Sequence, residues 1–210
     1  MKTSSNQEVQ NLYDGTANSY DSMMDSEIEL PIYSDTLSRL AERISELDSP
    51  LVDVSCGSGH MLQMYHNKYD ANRDLVGIDI SPEMLKVAKN RVGSFAHLRT
   101  GDMSKLTDIH TGSIAAIINF FAIHHIDEAI LKTTLIEWKR VLQQKGQLIL
   151  AAWEGQGSID YGEHSDIMAV KHDEKTLLAM IAAAGFSINQ YKVELIKEMD
   201  MNAIYIEASK

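Results

Sequence analysis

A single cysteine, Cys56, stands in 210 residues, so no internal disulfide can form, and no spaced cysteine or histidine set of the kind that binds zinc occurs. Positive charge is scarce as well. Nineteen lysines and arginines against 30 aspartates and glutamates leave a formal charge of -11, and no segment gathers the basic patch that a nucleic-acid backbone attracts. No apolar run approaches the length of a membrane span, and Met1 to Gln10 is polar throughout, without an apolar targeting core. Internal repeats and low-complexity tracts are missing too. These absences set the expectations of no metal, no nucleic-acid partner, no membrane association and a cytoplasmic location. What is present, a 44% hydrophobic content over this length, suits one domain with a full core spanning residues 1–210.

The most informative segment is Leu51 to His60, reading LVDVSCGSGH, followed after a short amphipathic stretch by Leu75 to Ile80, reading LVGIDI. Apolar and β-branched residues bracket Asp53, two glycines allow a tight turn, and a second apolar run ends in Asp79. That order predicts strand, turn, helix, strand, acid, which is half of a nucleotide-binding sheet. Gly57 and Gly59 would let backbone approach a ligand closely, and the oxygens of Asp79 would face the same crevice, where they can accept from both hydroxyls of a ribose. A dinucleotide fingerprint starting at Gly57 needs a third glycine at position 62, where the chain has Leu62.

Residues Val52 to Gly59 resemble the first motif of class I S-adenosylmethionine-dependent methyltransferases, and Gly77 to Ser81 looks like the second, with Ser55 standing where the family usually has glycine. Thr100 to Met103 resembles the adenine-binding segment, and Ile118 to His125 the segment after the fourth strand. The likeness spans roughly residues 45 to 208. It implies an α/β fold, a doubly wound, mostly parallel sheet of seven strands with an N-terminal helical cap over 1–47, a cofactor-binding core over 48–210, a terminal β-hairpin, and S-adenosyl-L-methionine as cofactor.

Periodicity supplies the elements. Loose helical spacing runs over 7 to 24, and Pro31 opens a helix through Leu37, Leu40, Ile44 and Leu47. Strands are predicted at 51 to 55, 74 to 79, 95 to 99, 114 to 119 and 147 to 152, alternating with helices at 60 to 69, 82 to 91 and 127 to 142. Gly146 is expected to supply a left-handed cap before the fifth strand. Residues 153 to 166 hold three glycines and four acids and read as a long exposed connection. A helix at 173 to 184 follows, then strand-like runs at 186 to 197 and 202 to 208 around a turn at Met199 to Met201.

The resemblance assigns the site residue by residue. Asp79 is the ribose ligand, against the plainer reading of a solvated acid closing a strand. Asp53 orients the glycine turn and reaches the amino group of the methionine moiety, a role compatible with capping loop amides. Ser55, Cys56 and Gly57 face the cofactor through backbone, Asp102 and Met103 read adenine unless they form a plain surface turn, and Ile80 and Met84 contact the ring. Asn119 and Phe120 end the fourth strand beside the sulfonium, with strand-end packing as the competitor.

His124 and His125 are candidates for a general base, because imidazole titrates near neutral pH; the favoured alternative is that the pair caps the loop before Asp127. Tyr13 and Tyr20 lie on the N-terminal layer, where relatives often close over the cofactor, with core or interface packing as the alternative. Trp153, Tyr161 and His164 flank the long loop and are candidates to line an acceptor pocket, with ordinary loop residues as the equal alternative. The resulting expectation is methyl transfer by in-line displacement to a small-molecule acceptor, with the oligomeric state open. The competitors are a non-catalytic S-adenosylmethionine-binding regulator or partner subunit, an NAD-dependent reductase, and an RNA or protein methyltransferase, with acidity arguing against unassisted RNA binding.

Overall fold

The computed structural model describes residues 2–161, 166–197 and 199–210, so His164 lies outside the described residues. The chain opens with α1 (Asn6–Glu27), started by a reciprocal capping box between Ser5 and Glu8 that satisfies free amides at the helix end. Then come α2 (Pro31–Arg43), β1 (Leu51–Asp53), α3 (His60–Lys68), β2 (Leu75–Asp79), α4 (Pro82–Val92), β3 (Ala96–Thr100) and β4 (Ile114–Phe120). A short 3-10 turn (Ile123–His125) leads into α5 (Glu128–Val141) and β5 (Leu142–Glu154). Two short strands, β6 (Ser158–Ile159) and β7 (Ala169–Val170), precede α6 (Glu174–Ala183), β8 (Ser187–Ile196) and β9 (Met201–Ser209).

Seven strands form one sheet in the order β3-β2-β1-β4-β5-β9-β8. β1 to β5 run parallel, and β9 slots antiparallel between β5 and β8, as the predicted terminal hairpin requires. The strand order reverses between β1 and β4, the point at which an open α/β sheet leaves a crevice at its carboxyl edge. Each face of the sheet is buried separately. Ile78, Ile117, Leu131, Leu135 and Trp138 fill one layer with α5 and α6, while Leu37, Leu40, Leu62, Tyr65 and Leu75 fill the other with α2 and α3.

Several expectations need correcting. β1 ends at Asp53 because the turn toward Gly59 takes over there, and α2 ends at Arg43 short of Leu47. The left-handed residue before the fifth strand's main ladder is Lys145, at φ 65°, and not Gly146. β5 pairs with β4 through Leu142 before an irregularity, so a bulge replaces the expected cap, and a Cβ on Gly146 would lie 2.8 Å from the Gln143 carbonyl oxygen. The supposed unstructured connection carries β6, which pairs antiparallel with β7 and buries Ile159 and Ala169. Two-residue strands carry too few residues for alternation to register in sequence.

Among the described residues, no helix is long and apolar enough to cross a membrane.

Candidate active site

The site grows out of the turn after β1. Gly57 and Gly59 sit at φ 49° and 84°, left-handed conformations that a side chain disfavours, and a Cβ on Gly57 would stand 3.2 Å from the Tyr20 ring. The turn is tied to β2. The Gly57 N–H donates to Asp79 Oδ2 at 2.8 Å and the Ser81 N–H to Asp79 Oδ1 at 2.9 Å, which leaves lone pairs on both oxygens at the cleft wall. Asp79 is only 8% exposed; burial raises its pKa, and the amide hydrogen bonds oppose that rise.

Ser55, Gly57, Ile80, Met84 and Met103 join Asp79 around this cleft, with Phe120 and Tyr20 across it. The Asp102 carboxylate also lines it, but its oxygens are already engaged. Oδ1 accepts from the Ser104 N–H at 2.9 Å and hydroxyl at 2.7 Å, and Oδ2 accepts from Asn6 Nδ2 at 2.8 Å. Burial pushes this carboxyl up, but the Ser104 and Asn6 bonds outweigh it and hold the pKa below the usual value. Behind Asp102, the Trp138 indole donates to the Met103 carbonyl at 2.8 Å, so the packed core fixes this loop.

Three of the proposed cofactor residues stand apart from the cleft. Asp53 and Cys56 face a smaller neighbouring cavity with His60, and burial raises both acidic groups, Asp53 to about 8. The Asp53 carboxylate accepts from the Ser55 N–H at 3.2 Å, which is the loop-orienting half of its expected role. Asn119 is fully buried beneath the turn, donating to Ser55 Oγ at 3.0 Å and to Met103 Sδ at 3.5 Å, with its Oδ1 unpartnered.

Just after the histidines, Asp127 caps α5 by accepting from the Ile130 N–H at 2.9 Å. Their rings lie 4.1 Å apart, and each bonds a tyrosine: His125 Nε2 to the Tyr13 hydroxyl at 2.8 Å, His124 Nε2 to the Tyr161 hydroxyl at 2.9 Å. Both Nδ1 atoms are buried without a partner. Burial holds both imidazoles neutral, drawing His125 down to about 4. His125 lines the cofactor cleft, whereas His124 lines a second cavity of about 420 Å³ that shares Tyr13, Tyr20 and Phe121 with it.

The motifs gave no sign of how α1 is fastened over this edge. Ser81 Oγ donates to Asp14 Oδ1 at 2.6 Å, and Arg91 Nη2 contacts Asp21 at 2.8 Å and Asp25 at 2.9 Å. Asn6 and Val9 thereby become walls of the cleft. The Ser5–Glu8 box acts within one turn, and no local pattern tells which groups a helix meets across the fold.

Residues 51–146 match the methyltransferase domain family. Residues 51–146 thus carry a methyltransferase domain, and the sheet order with the Gly57–Asp79 turn is that of the Rossmann-like methyltransferase fold. An uncharacterized protein of Methanocaldococcus jannaschii is 30% identical over 148 residues, covering 67% of this chain; the chain spans half of that relative's length. Among solved structures, the Burkholderia thailandensis 1,6-didemethyltoxoflavin-N1-methyltransferase, with bound 1,6-didemethyltoxoflavin and S-adenosylhomocysteine, aligns over 100% of this chain and 92% of its own at TM-score 0.72 and 16% identity. The 4+2 cyclase SpnF aligns over 100% and 98% at TM-score 0.76 and 16% identity. A putative methyltransferase in complex with the Haloferax volcanii Trm112 activator aligns over 96% of each chain at TM-score 0.74 and 16% identity. Such distant likenesses bear on fold, and one fold hosts more than one chemistry.

Proposed function

We propose that this protein transfers a methyl group from S-adenosylmethionine to a small-molecule acceptor. The observation that carries the reading is the pair of adjoining cavities: a cleft at the carboxyl edge where Asp79 and the Gly57 turn meet, and a second cavity sharing one wall with it. Asp79 suits a ribose diol, and Asp102, Met103, Ile80 and Met84 suit the adenine. The turn at Ser55 to Gly57 and Phe120 suit the methionine end, with Tyr20 closing over it and Asp53 reaching the amino group from behind. When bound, the cofactor supplies a methyl group on a sulfonium, which departs as a neutral thioether.

The chain's own contribution is alignment and exclusion of water. Tyr13 stands in the wall between the cavities, and His125 fixes its hydroxyl. An imidazole with a pKa of about 4 is a weak base, so His125 is suited to positioning Tyr13 and poorly suited to stripping a proton from an acceptor. The didemethyltoxoflavin enzyme, whose substrate is a small molecule, supports the acceptor class.

A second reading has its own support: SpnF shares the fold over the full chain and is a cyclase, so a function other than methyl transfer, such as a cofactor-binding protein without methyl turnover, fits the same architecture. A nicotinamide reductase is disfavoured. Leu62 is fully buried and packs toward Gly77, filling the space that a dinucleotide motif leaves open with glycine.

The test is calorimetry with S-adenosylhomocysteine, followed by incubation of methyl-labelled S-adenosylmethionine with metabolite pools. Asp79→Ala should weaken S-adenosylhomocysteine by about 1–3 kcal/mol, the cost of removing a buried acceptor. An unchanged dissociation constant refutes the ribose assignment. Tight cofactor binding with label never reaching a second molecule favours the cyclase-like reading.

A further inference from the structure

The second cavity is built by aromatic side chains from segments far apart in the chain. Tyr33 comes from α2, Phe121 follows β4, Trp153 lies in β5 and Tyr205 in β9. The Phe121 ring lies 4.6 Å from that of Trp153 and 5.8 Å from that of Tyr205. Its backbone is left-handed, at φ 51°, a conformation that a bulky residue keeps only where surrounding packing enforces it. The volume, about 420 Å³, falls in the range of small-molecule sites.

The charge of the wall is one-sided. Glu27, at the end of α1, is the sole carboxylate lining the cavity among the described residues, and its field reaches the hydroxyls of both Tyr33 and Tyr205. No lysine or arginine lines either this cavity or the cofactor cleft among the described residues. His124, the other titratable group of the wall besides the tyrosines, adds no positive charge, because burial keeps its imidazole neutral. Ring faces present negative potential, and a carboxylate beside them deepens it. An anion placed there would lose its water and meet no compensating cation.

We propose that this cavity recognises a positively charged organic amine, so that the acceptor is a nitrogen base rather than a carboxylate, phosphate or diphosphate. The inference rests on the methyltransferase reading above and narrows its substrate class. The step needs no strong base in the protein: the ammonium gives its proton to solvent before transfer, the freed lone pair forms the N–C bond as the sulfonium C–S bond breaks, the thioether leaves neutral, and the methylated nitrogen carries the positive charge beside the rings and Glu27.

Three isosteric probes separate the possibilities: choline, the uncharged 3,3-dimethylbutan-1-ol, and the anion 3,3-dimethylbutanoate. Each is titrated into protein saturated with S-adenosylhomocysteine, and binding is read by calorimetry and by the fluorescence of Trp153 in a Trp138→Phe background. Choline should bind about tenfold more tightly than the alcohol, the size of a desolvated cation–π contact, and the anion should show no binding. Glu27→Gln should weaken choline and leave the alcohol unchanged. Equal affinity for choline and the alcohol, binding of the anion, no binding of choline, or a choline preference undiminished in Glu27→Gln would each overturn the assignment. Should S-adenosylhomocysteine itself fail to bind, the methyltransferase reading falls, and the same titrations on the protein alone still decide this one.

Discussion

Asp53 offers the sharpest test of how the turn meets its ligand. Its side chain is 3% exposed and burial pushes its pKa to about 8, so near pH 7 the carboxyl of the ligand-free protein is about nine-tenths protonated. A methionine ammonium brought beside it would supply the missing counter-charge and pull the pKa back toward the ordinary carboxylate range. Binding of S-adenosylhomocysteine would then expel the proton, about 0.9 per site near pH 7 and almost none near pH 9.5. By the same linkage, affinity should rise as pH rises, by close to tenfold per unit below about pH 7. Calorimetry in phosphate and in Tris, whose ionisation enthalpies differ, counts the protons directly.

The stability of the ligand-free protein carries the opposite consequence. A carboxyl whose folded pKa of about 8 exceeds the ordinary 3.8 makes the native state bind more protons than the unfolded chain, so stability falls as pH rises between those values. Asp53→Asn should flatten that fall and release no proton on binding. Equal proton counts for wild type and Asp53→Asn would refute the account, as would zero release near pH 7.

Further outcomes are expected elsewhere. With His125 held to about 4 against an ordinary 6.5, the native state binds fewer protons than the unfolded chain in that window; stability therefore falls as pH drops through it, and His125→Gln should recover about 1–3 kcal/mol of the loss in thermal denaturation followed across pH. An unchanged acid limb would count against the burial argument. Trp138→Phe keeps most of the ring packing but strands the Met103 carbonyl, so urea unfolding should report a loss of about 1–3 kcal/mol. Gly57→Ala places a methyl against the Tyr20 ring at positive φ and should weaken S-adenosylhomocysteine by about tenfold or more. Gly15→Ala, whose Cβ meets nothing within 4 Å on α1, should leave binding unchanged and stabilise by up to about 1 kcal/mol, with both variants compared by calorimetry and melting.

The parts of the site that sequence made legible are those written in short contiguous stretches. Gly57 and Asp79 announced themselves because a tight turn demands glycine and a strand end offers an acid to the crevice, and both requirements act within a few residues. The parallel order of β1 to β5 and the antiparallel entry of β9 followed from the same local alternation and from the family likeness. Where several conformations satisfy one pattern, sequence went astray: Gly146 drew the left-handed role that Lys145 takes, and β6 and β7 are too short to show a period.

The chain by itself therefore determined the sheet and the cofactor-side turn. Tertiary structure alone decided which tyrosine each histidine holds, that Asn6 and Asp14 fasten α1 over the cleft, and that Glu27, Tyr33, Phe121, Trp153 and Tyr205 surround one space. The physical reason is range. Hydrogen-bonded turns and alternating strands are set by neighbours along the backbone, whereas a cavity is the gap left between elements that packing brings together from distant parts of the chain, and no local residue pattern encodes it.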